Sequence, residues 1–297
     1  MSSMPANMQV PVDASRLPVT LPALAEKRRL GEPLVMVTAY DFPSARAAEA
    51  AGVDLVLVGD SGAMTVLGYP STVAVTVDEL LMLARAVRRG LRTPFLVGDL
   101  PFGSYEVSDE QAVTTAFRFV KEAGCDAVKL EGGGVVAVAR ARAIVAAGIP
   151  VMGHVGLTPQ TSTALGGYKA QGRSAATATT IARGAVALQE AGCFAVVFEA
   201  IPSAVATVVM RRMEIPVIGI GAGPATDGQV LVFHDLLGIR EGRGARFVQR
   251  YADLQADMDA GVRAFTADVR SRAYPRPEHG YSIDESELAA FRTAFES

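Results

Sequence analysis

Four carboxylates close short apolar runs in this chain: Asp60 after LVLVG, Asp99 after FLVG, Glu131 after AVKL and Glu199 after AVVF. Lys129 shares the third run with Glu131, His154 ends PVMG, and Tyr40-Asp41, Ser61 and His234-Asp235 hold comparable places. Such a run, ended by a charge, reads as a buried parallel strand with its polar residue at the carboxyl end. Lys129 and Glu131 stand two apart, so on a strand they share one face while Leu130 takes the other. Several carboxylates buried together repel one another and resist ionisation unless a cation compensates them. Oxygen ligands without a His or Cys cluster point to Mg²⁺ first and Mn²⁺ second, with water and substrate oxygens completing an octahedron. A cation so held can chelate a 2-oxo acid, polarise its ketone and favour reaction at the neighbouring carbon.

Each of these residues also has a purely structural reading. A carboxylate after a strand often caps the next helix, which accounts for Asp60 or Asp99 taken singly as well as metal ligation does. Lysine in an apolar strand needs an acidic or anionic partner, so Lys129 serves either substrate or a pairing with Glu131. His154 fits a hydrogen-bonded residue at a barrel mouth as well as a substrate contact, while His234 and His279 read as structural or exposed. Gly59-Asp60-Ser61-Gly62 also matches a hydrolase nucleophile phrase. That chemistry needs a histidine base, yet no histidine has Asp three residues before it, and the GxSxG elbow fails at Ala63.

The elements that must position these groups repeat. EAGCDAVKLE at 122–131 and EAGCFAVVFE at 190–199 agree at seven of ten positions, and looser copies run through 51–60 and 147–154. Each phrase reads as a helix ending at glycine, a buried strand, and a polar residue at the strand's end. Strands are predicted at 34–40, 54–60, 95–100, 127–132, 150–155, 195–200, 216–220 and 230–234. Thr76 with Glu79 and Ser108 with Gln111 fit capping boxes opening two of the intervening helices. Alternating strands and helices over 297 residues predict a single-domain (β/α)8 TIM barrel. The connection before the last strand is too short for more than one helical turn. A doubly wound open sheet is the alternative, but GIGAG at 219–223 lacks the third glycine of a dinucleotide fingerprint. Residues 1–20 read as an N-terminal arm, 22–30 as a helix capping the barrel base, 21–274 as the barrel domain, and 275–297 as a C-terminal extension.

With 28 basic and 31 acidic side chains the chain has no field that would draw nucleic acid, and no such partner is expected. The first twenty residues lack a basic and then apolar leader, and no apolar run is long enough for a bilayer. A soluble cytoplasmic protein without a membrane partner is the expectation. Cys125 and Cys193 sit in apolar stretches without CxxC spacing, as buried thiols do.

A series of phrases in order resembles the ketopantoate hydroxymethyltransferase family: TAYD at 38–41, VGDS at 58–61, AVTVDE at 74–79, DLPF at 99–102, VKLEGG at 128–133, GHVGLTPQ at 153–160, GGYKAQGR at 166–173, and IPVIGIGAG at 215–223 with TDGQ at 226–229. The resemblance covers about residues 20–280. It implies a TIM barrel that uses Mg²⁺ and 5,10-methylenetetrahydrofolate to convert 3-methyl-2-oxobutanoate into 2-dehydropantoate in pantothenate biosynthesis. It further implies Asp60 and Asp99 as metal ligands that also meet substrate, Glu131 in the metal site, Ser61 and Lys129 against substrate, and Glu199 as proton acceptor. A homo-oligomer, a decamer of five dimers, is implied as well. VGDSGAM at 58–64 and GYPST at 68–72 depart from the family's VGDSLGM and GHDST or GYDST, at Gly62, Ala63 and Pro70. The isocitrate lyase and phosphoenolpyruvate mutase group is a nearer rival, but its KKCGH-like loop is missing. A non-catalytic binding barrel is a third reading.

Overall fold

The computed structural model describes residues 16–296 apart from 241 and 243. Residues 1–15 of the expected N-terminal arm and Ser297 of the extension lie outside the described residues. Eight parallel strands close on themselves in sequence order: β1 (Leu34–Thr38), β2 (Leu55–Val58), β3 (Phe95–Asp99), β4 (Ala127–Lys129), β5 (Val151–Gly156), β6 (Ala195–Glu199), β7 (Val217–Ile220) and β8 (Gly228–Leu231). The closure is β8 against β1, with Leu34 opposite Gly228. The chain is therefore a (β/α)8 barrel, and the open sheet is ruled out.

Helix α1 (Leu21–Leu30) precedes the barrel, and α2 (Phe42–Ala51), α3 (Gly62–Thr65), α4 (Val77–Gly90), α5 (Asp109–Ala123), α6 (Val135–Ala146), α7 (Ala175–Glu190) and α8 (Ser203–Met210) alternate with the strands. A short α9 (Phe233–Leu237) follows β8, and α10 (Leu254–Ser271) and α11 (Glu285–Glu296) complete the chain. The predicted box at Thr76 and Glu79 forms in full at the start of α4. At α5 only half forms: Ser108 caps the Gln111 amide, while the Gln111 side chain accepts from Val107 rather than Ser108.

The period of two along the strands divides the core. Val56, Val58, Leu96, Val128, Leu130, Val196 and Phe198 face the helices. Leu55 and Leu57, Phe95 and Val97, Ala127, Met152, and Ala195 and Val197 fill the barrel interior, with Leu24 of α1 among them. Continuing the inner rows by two residues gives Asp99, Lys129 and Glu131, His154 and Glu199. The upper layer of the barrel is thus charged, and the layers beneath it are apolar.

The eighth strand differs from expectation. It runs over Gly228–Leu231, whereas residues 230–234 were predicted, and Phe233 already begins α9. The Phe233 amide is taken by the Thr38 hydroxyl at 2.8 Å, which ends the ladder. The seven residues between β7 and β8 contain no helix at all. β1, β2, β3, β4 and β6 end one to three residues before their predicted carboxyl ends, because those residues turn into the loops that hold the site, whereas β7 ends as predicted and β5 runs one residue further.

Candidate active site

Asp60, Ser61, Asp99, Lys129, Glu131, His154 and Glu199 line one cavity of about 590 Å³ at the carboxyl ends of the strands. The inner-row rule explains five of them. Asp60 is different: it lies in the turn after β2, and its backbone amide donates to Asp99 Oδ2 at 3.0 Å. Neither Asp60 nor Asp99 caps a helix, since Ser61 leads α3 and Ser108 leads α5. The capping account of both residues therefore fails.

Lys129 is buried, with Nζ 2.8 Å from Asp99 Oδ1 and 3.7 Å from Glu131 Oε1. Its principal partner is Asp99, on the neighbouring strand, where Asp99 and Lys129 stand in register. The ammonium approaches off the hydrogen-bonding direction, so Asp99 Oδ1 keeps no aligned hydrogen bond. His154 bridges two carboxylates, with Nδ1 3.4 Å from Glu131 Oε1 and Nε2 3.2 Å from Glu199 Oε2. The second contact is an ion pair rather than an aligned hydrogen bond.

Burial and the negative charges of Asp99 and Glu131 hold the Asp60 carboxyl well above the usual carboxylate range. Burial also raises Asp99, against the pull of Lys129. Glu131 lies low despite burial, because Lys129, His154 and the Gln160 amide favour its charged form. Burial and Lys129 push His154 down, but Glu131 and Glu199 outweigh them and bring it up to about 9. Three buried carboxylates thus face one lysine and one imidazolium, and the excess negative charge centres on Asp60 and Asp99.

Sequence reasoning missed Gln160, which lies in a short turn after β5. Its Nε2 donates to Asp60 Oδ2 at 3.1 Å and to the Leu100 carbonyl at 2.9 Å, and its backbone amide donates to Glu131 Oε2 at 3.0 Å. Tyr105 completes this support by donating to Gln160 Oε1 at 2.6 Å. The signal was present in GHVGLTPQ, where the glutamine closes the phrase. Tyr40 was visible as a strand-end residue, and its hydroxyl meets Ser61 Oγ at 2.8 Å.

The profile of the ketopantoate hydroxymethyltransferase family matches residues 18–277. The chain belongs to this family. It is 49% identical over 281 residues to the mitochondrial 3-methyl-2-oxobutanoate hydroxymethyltransferase 1 of Arabidopsis thaliana, covering 93% of this chain and 81% of that protein. It is 50% identical over 268 residues to the 3-methyl-2-oxobutanoate hydroxymethyltransferase of Moorella thermoacetica, covering 90% and 99%. Among solved structures, phosphonopyruvate hydrolase in complex with oxalate and Mg²⁺ superposes with a TM-score of 0.60 at 14% identity, over 94% of this chain and 97% of that one. A 2,3-dimethylmalate lyase of the phosphoenolpyruvate mutase and isocitrate lyase superfamily follows at 0.57 and 16%, over 92% and 98%. At these identities the two structures bear on fold alone.

The departure from the family phrase at Gly62 has a local reason. A Cβ there would stand 2.7 Å from Tyr40 Cδ1, so in this ketopantoate hydroxymethyltransferase family member the missing side chain lets the Tyr40 ring close on Ser61. At the other side of the mouth, Gly156 has φ of 105° and a Cβ would meet the Glu199 carbonyl oxygen at 2.1 Å. Only glycine allows β5 to pass the Glu199 backbone this closely.

Proposed function

We propose that the chain transfers a hydroxymethyl group from 5,10-methylenetetrahydrofolate to 3-methyl-2-oxobutanoate, giving 2-dehydropantoate for pantothenate biosynthesis. The family relation over residues 18–277 carries this reading, and the geometry of the mouth supports the residue roles.

Mg²⁺ is the metal that fits. The buried Asp99 Oδ1 has no aligned hydrogen bond and the Asp60 amide meets the other oxygen of the same carboxylate, an all-oxygen setting that suits an ion taking one or two carboxylates and keeping water and substrate oxygens. Asp60 and Asp99 would hold it, with Glu131 reaching it through water. The raised Asp60 and Asp99 carboxyls mark where positive charge is wanted. When bound, the ion supplies Lewis-acid polarisation of a chelated ketone.

The remaining work falls to the chain itself. Lys129 and Ser61 orient the oxo acid by its carboxylate, Tyr40 fixes the Ser61 hydroxyl, and the apolar inner layer beneath excludes water from the reacting carbon. Glu199 removes the proton from carbon three, and His154 positions the Glu199 carboxylate through Nε2. His154 thus acts on the base and need not touch substrate. A carbon–carbon bond then forms from carbon three to the one-carbon unit. Both bonds from that carbon to the folate nitrogens break, water supplies the hydroxyl oxygen, and the carbon-three proton with one proton of water passes to the two nitrogens of the departing tetrahydrofolate.

The test is exchange of the carbon-three hydrogen with solvent deuterium, in the presence of Mg²⁺ and without folate. Glu199→Gln should lose this exchange by about a hundredfold or more. Exchange at the wild-type rate would remove Glu199 from the role of base.

We also propose a cytoplasmic homo-oligomer, the decamer that the family resemblance implies. Among the described residues no helix is long and apolar enough to cross a membrane. The oligomer reading draws support from α10, which buries no residue against its own barrel.

A further inference from the structure

The cavity at the mouth does not end with the carboxylates. A recess of about 360 Å³ opens beside it, lined by Met64, Thr65, His234 and Ile239. Ser61, Val232, Asp235 and Arg240 line both spaces and join them. None of the roles proposed above uses this recess.

Its chemistry is specific. Asp235 and His234 both sit on α9, immediately after β8. Arg240 Nη1 donates to Asp235 Oδ1 at 2.5 Å, which leaves Oδ2 without a protein donor among the described residues. His234 is half-buried and lies beside the Tyr40 ring, centroids 5.5 Å apart. Its Nδ1 is closed to solvent and has no hydrogen-bond partner. Burial keeps this imidazole low despite Asp41 and Asp235 nearby, so it offers one donor and one acceptor nitrogen. Met64, Val232 and Ile239 supply apolar walls. At the rim of the larger cavity, Lys169 and Arg246 are exposed and have no acidic partner among the described residues, with Tyr168 and Phe247 alongside.

A flat, largely apolar ring with two adjacent N–H donors on one edge suits a carboxylate between apolar walls. The 2-amino-4-oxopyrimidine edge of a reduced pterin has that pattern, and its glutamyl tail carries the carboxylates that rim cations attract. The one-carbon unit rides on the pterin end, so the pterin must lie next to the oxo acid. Ser61, shared by both spaces, provides that adjacency.

We infer that the recess between α3 and α9 is the pterin subsite of the folate co-substrate. Asp235 accepts the N–H groups of the aminopyrimidinone edge, the His234 ring walls the recess, and Lys169 with Arg246 receives the glutamyl carboxylates. This inference rests on the hydroxymethyl-transfer reading, and the experiment separates the two.

Calorimetric titration with tetrahydrofolate, under argon with Mg²⁺ and 3-methyl-2-oxobutanoate present, should show Asp235→Asn binding about tenfold or more weaker than wild type. The folate KM should rise in step, while folate-free hydrogen exchange at carbon three stays at the wild-type rate. Because the substitution also removes a partner of Arg240, the ligand is varied too. On the unaltered protein, 2-desamino-2-methyl-tetrahydrofolate should bind about tenfold or more weaker than tetrahydrofolate. Equal binding of the two ligands by wild type, or unchanged tetrahydrofolate affinity in a folded Asp235→Asn, overturns the subsite. Loss of exchange in that variant would also overturn it, by placing Asp235 on the oxo-acid side. Absence of exchange in wild type would instead sink the underlying reaction.

Discussion

Gln160 carries no charge, yet it holds two of the carboxylates of the charged site. Its side chain and backbone bind Asp60, Glu131, the Leu100 carbonyl and Tyr105 together. Removing the side-chain amide would leave Asp60 Oδ2 without its donor in a buried place and the Tyr105 hydroxyl without its 2.6 Å acceptor, and would free the Asp60 carboxylate to move. Gln160→Leu should therefore lower metal-activated turnover by about 10- to 100-fold and shift the Mg²⁺ titration to higher concentration. An unchanged titration would separate Gln160 from the metal site. The contrast with Lys129 shows what sequence can reveal at this scale. Lys129, Glu131 and Glu199 follow from a period of two counted along apolar runs, because pleating fixes which way those side chains point. Gln160 stands in a turn beyond β5, where no periodicity sets direction, so only the folded chain reveals what it holds. Ser61 and Asp60 lie between these cases, visible as strand-end residues but aimed by the turn into α3.

At the scale of elements, Glu49 ties α2 to the segment between α4 and β3. Its carboxylate accepts from the Arg92 amide at 2.7 Å, the Thr93 amide at 3.0 Å and the Thr93 hydroxyl at 2.9 Å. Burial alone would raise this carboxyl, but the three donors outweigh it and hold Glu49 below its ordinary value. A depressed folded value means stability that is present above the unfolded pKa, about 4.3, and is lost as pH falls through the folded value. Glu49→Gln turns an amide donor toward groups that are themselves donors, so the variant should be about 2 kcal/mol less stable near neutrality. Denaturant melts at pH 7 and at pH 3 check this: the difference from wild type should narrow in acid, and a constant difference would refute the linkage. Elements as such were well marked in sequence. The repeated EAGC phrase, the cap at Thr76 and the glycines after helices identified eight strands and the alternation. The eighth strand was misplaced because QVLVF reads as one apolar run, whereas the hydroxyl of Thr38, 195 residues away, stops the ladder at Phe233. A long-range contact of that kind leaves no local trace.

For the whole molecule, the outer wall of the barrel is complete except at one seam. No helix lies between β7 and β8, and the chain after α9 leaves the barrel. Val35 on β1 and Gln229 on β8 are consequently exposed, beside an open groove of about 680 Å³ that also borders Pro33 and Pro224. Beyond Gly238 no described residue is buried. Yet α10 is not polar throughout. Met258, Val262, Phe265 and Val269 recur at spacings of four, three and four, which sets them in one stripe along the helix, and all four are exposed. An apolar stripe on a helix with nothing of its own barrel to cover is what an interface between copies requires. Placing charge there should weaken assembly without touching the active site. Val262→Asp combined with Phe265→Asp should sediment as a smaller species than wild type at micromolar concentration, with unchanged helical circular dichroism. If the variant sediments with the wild type, α10 is not the contact.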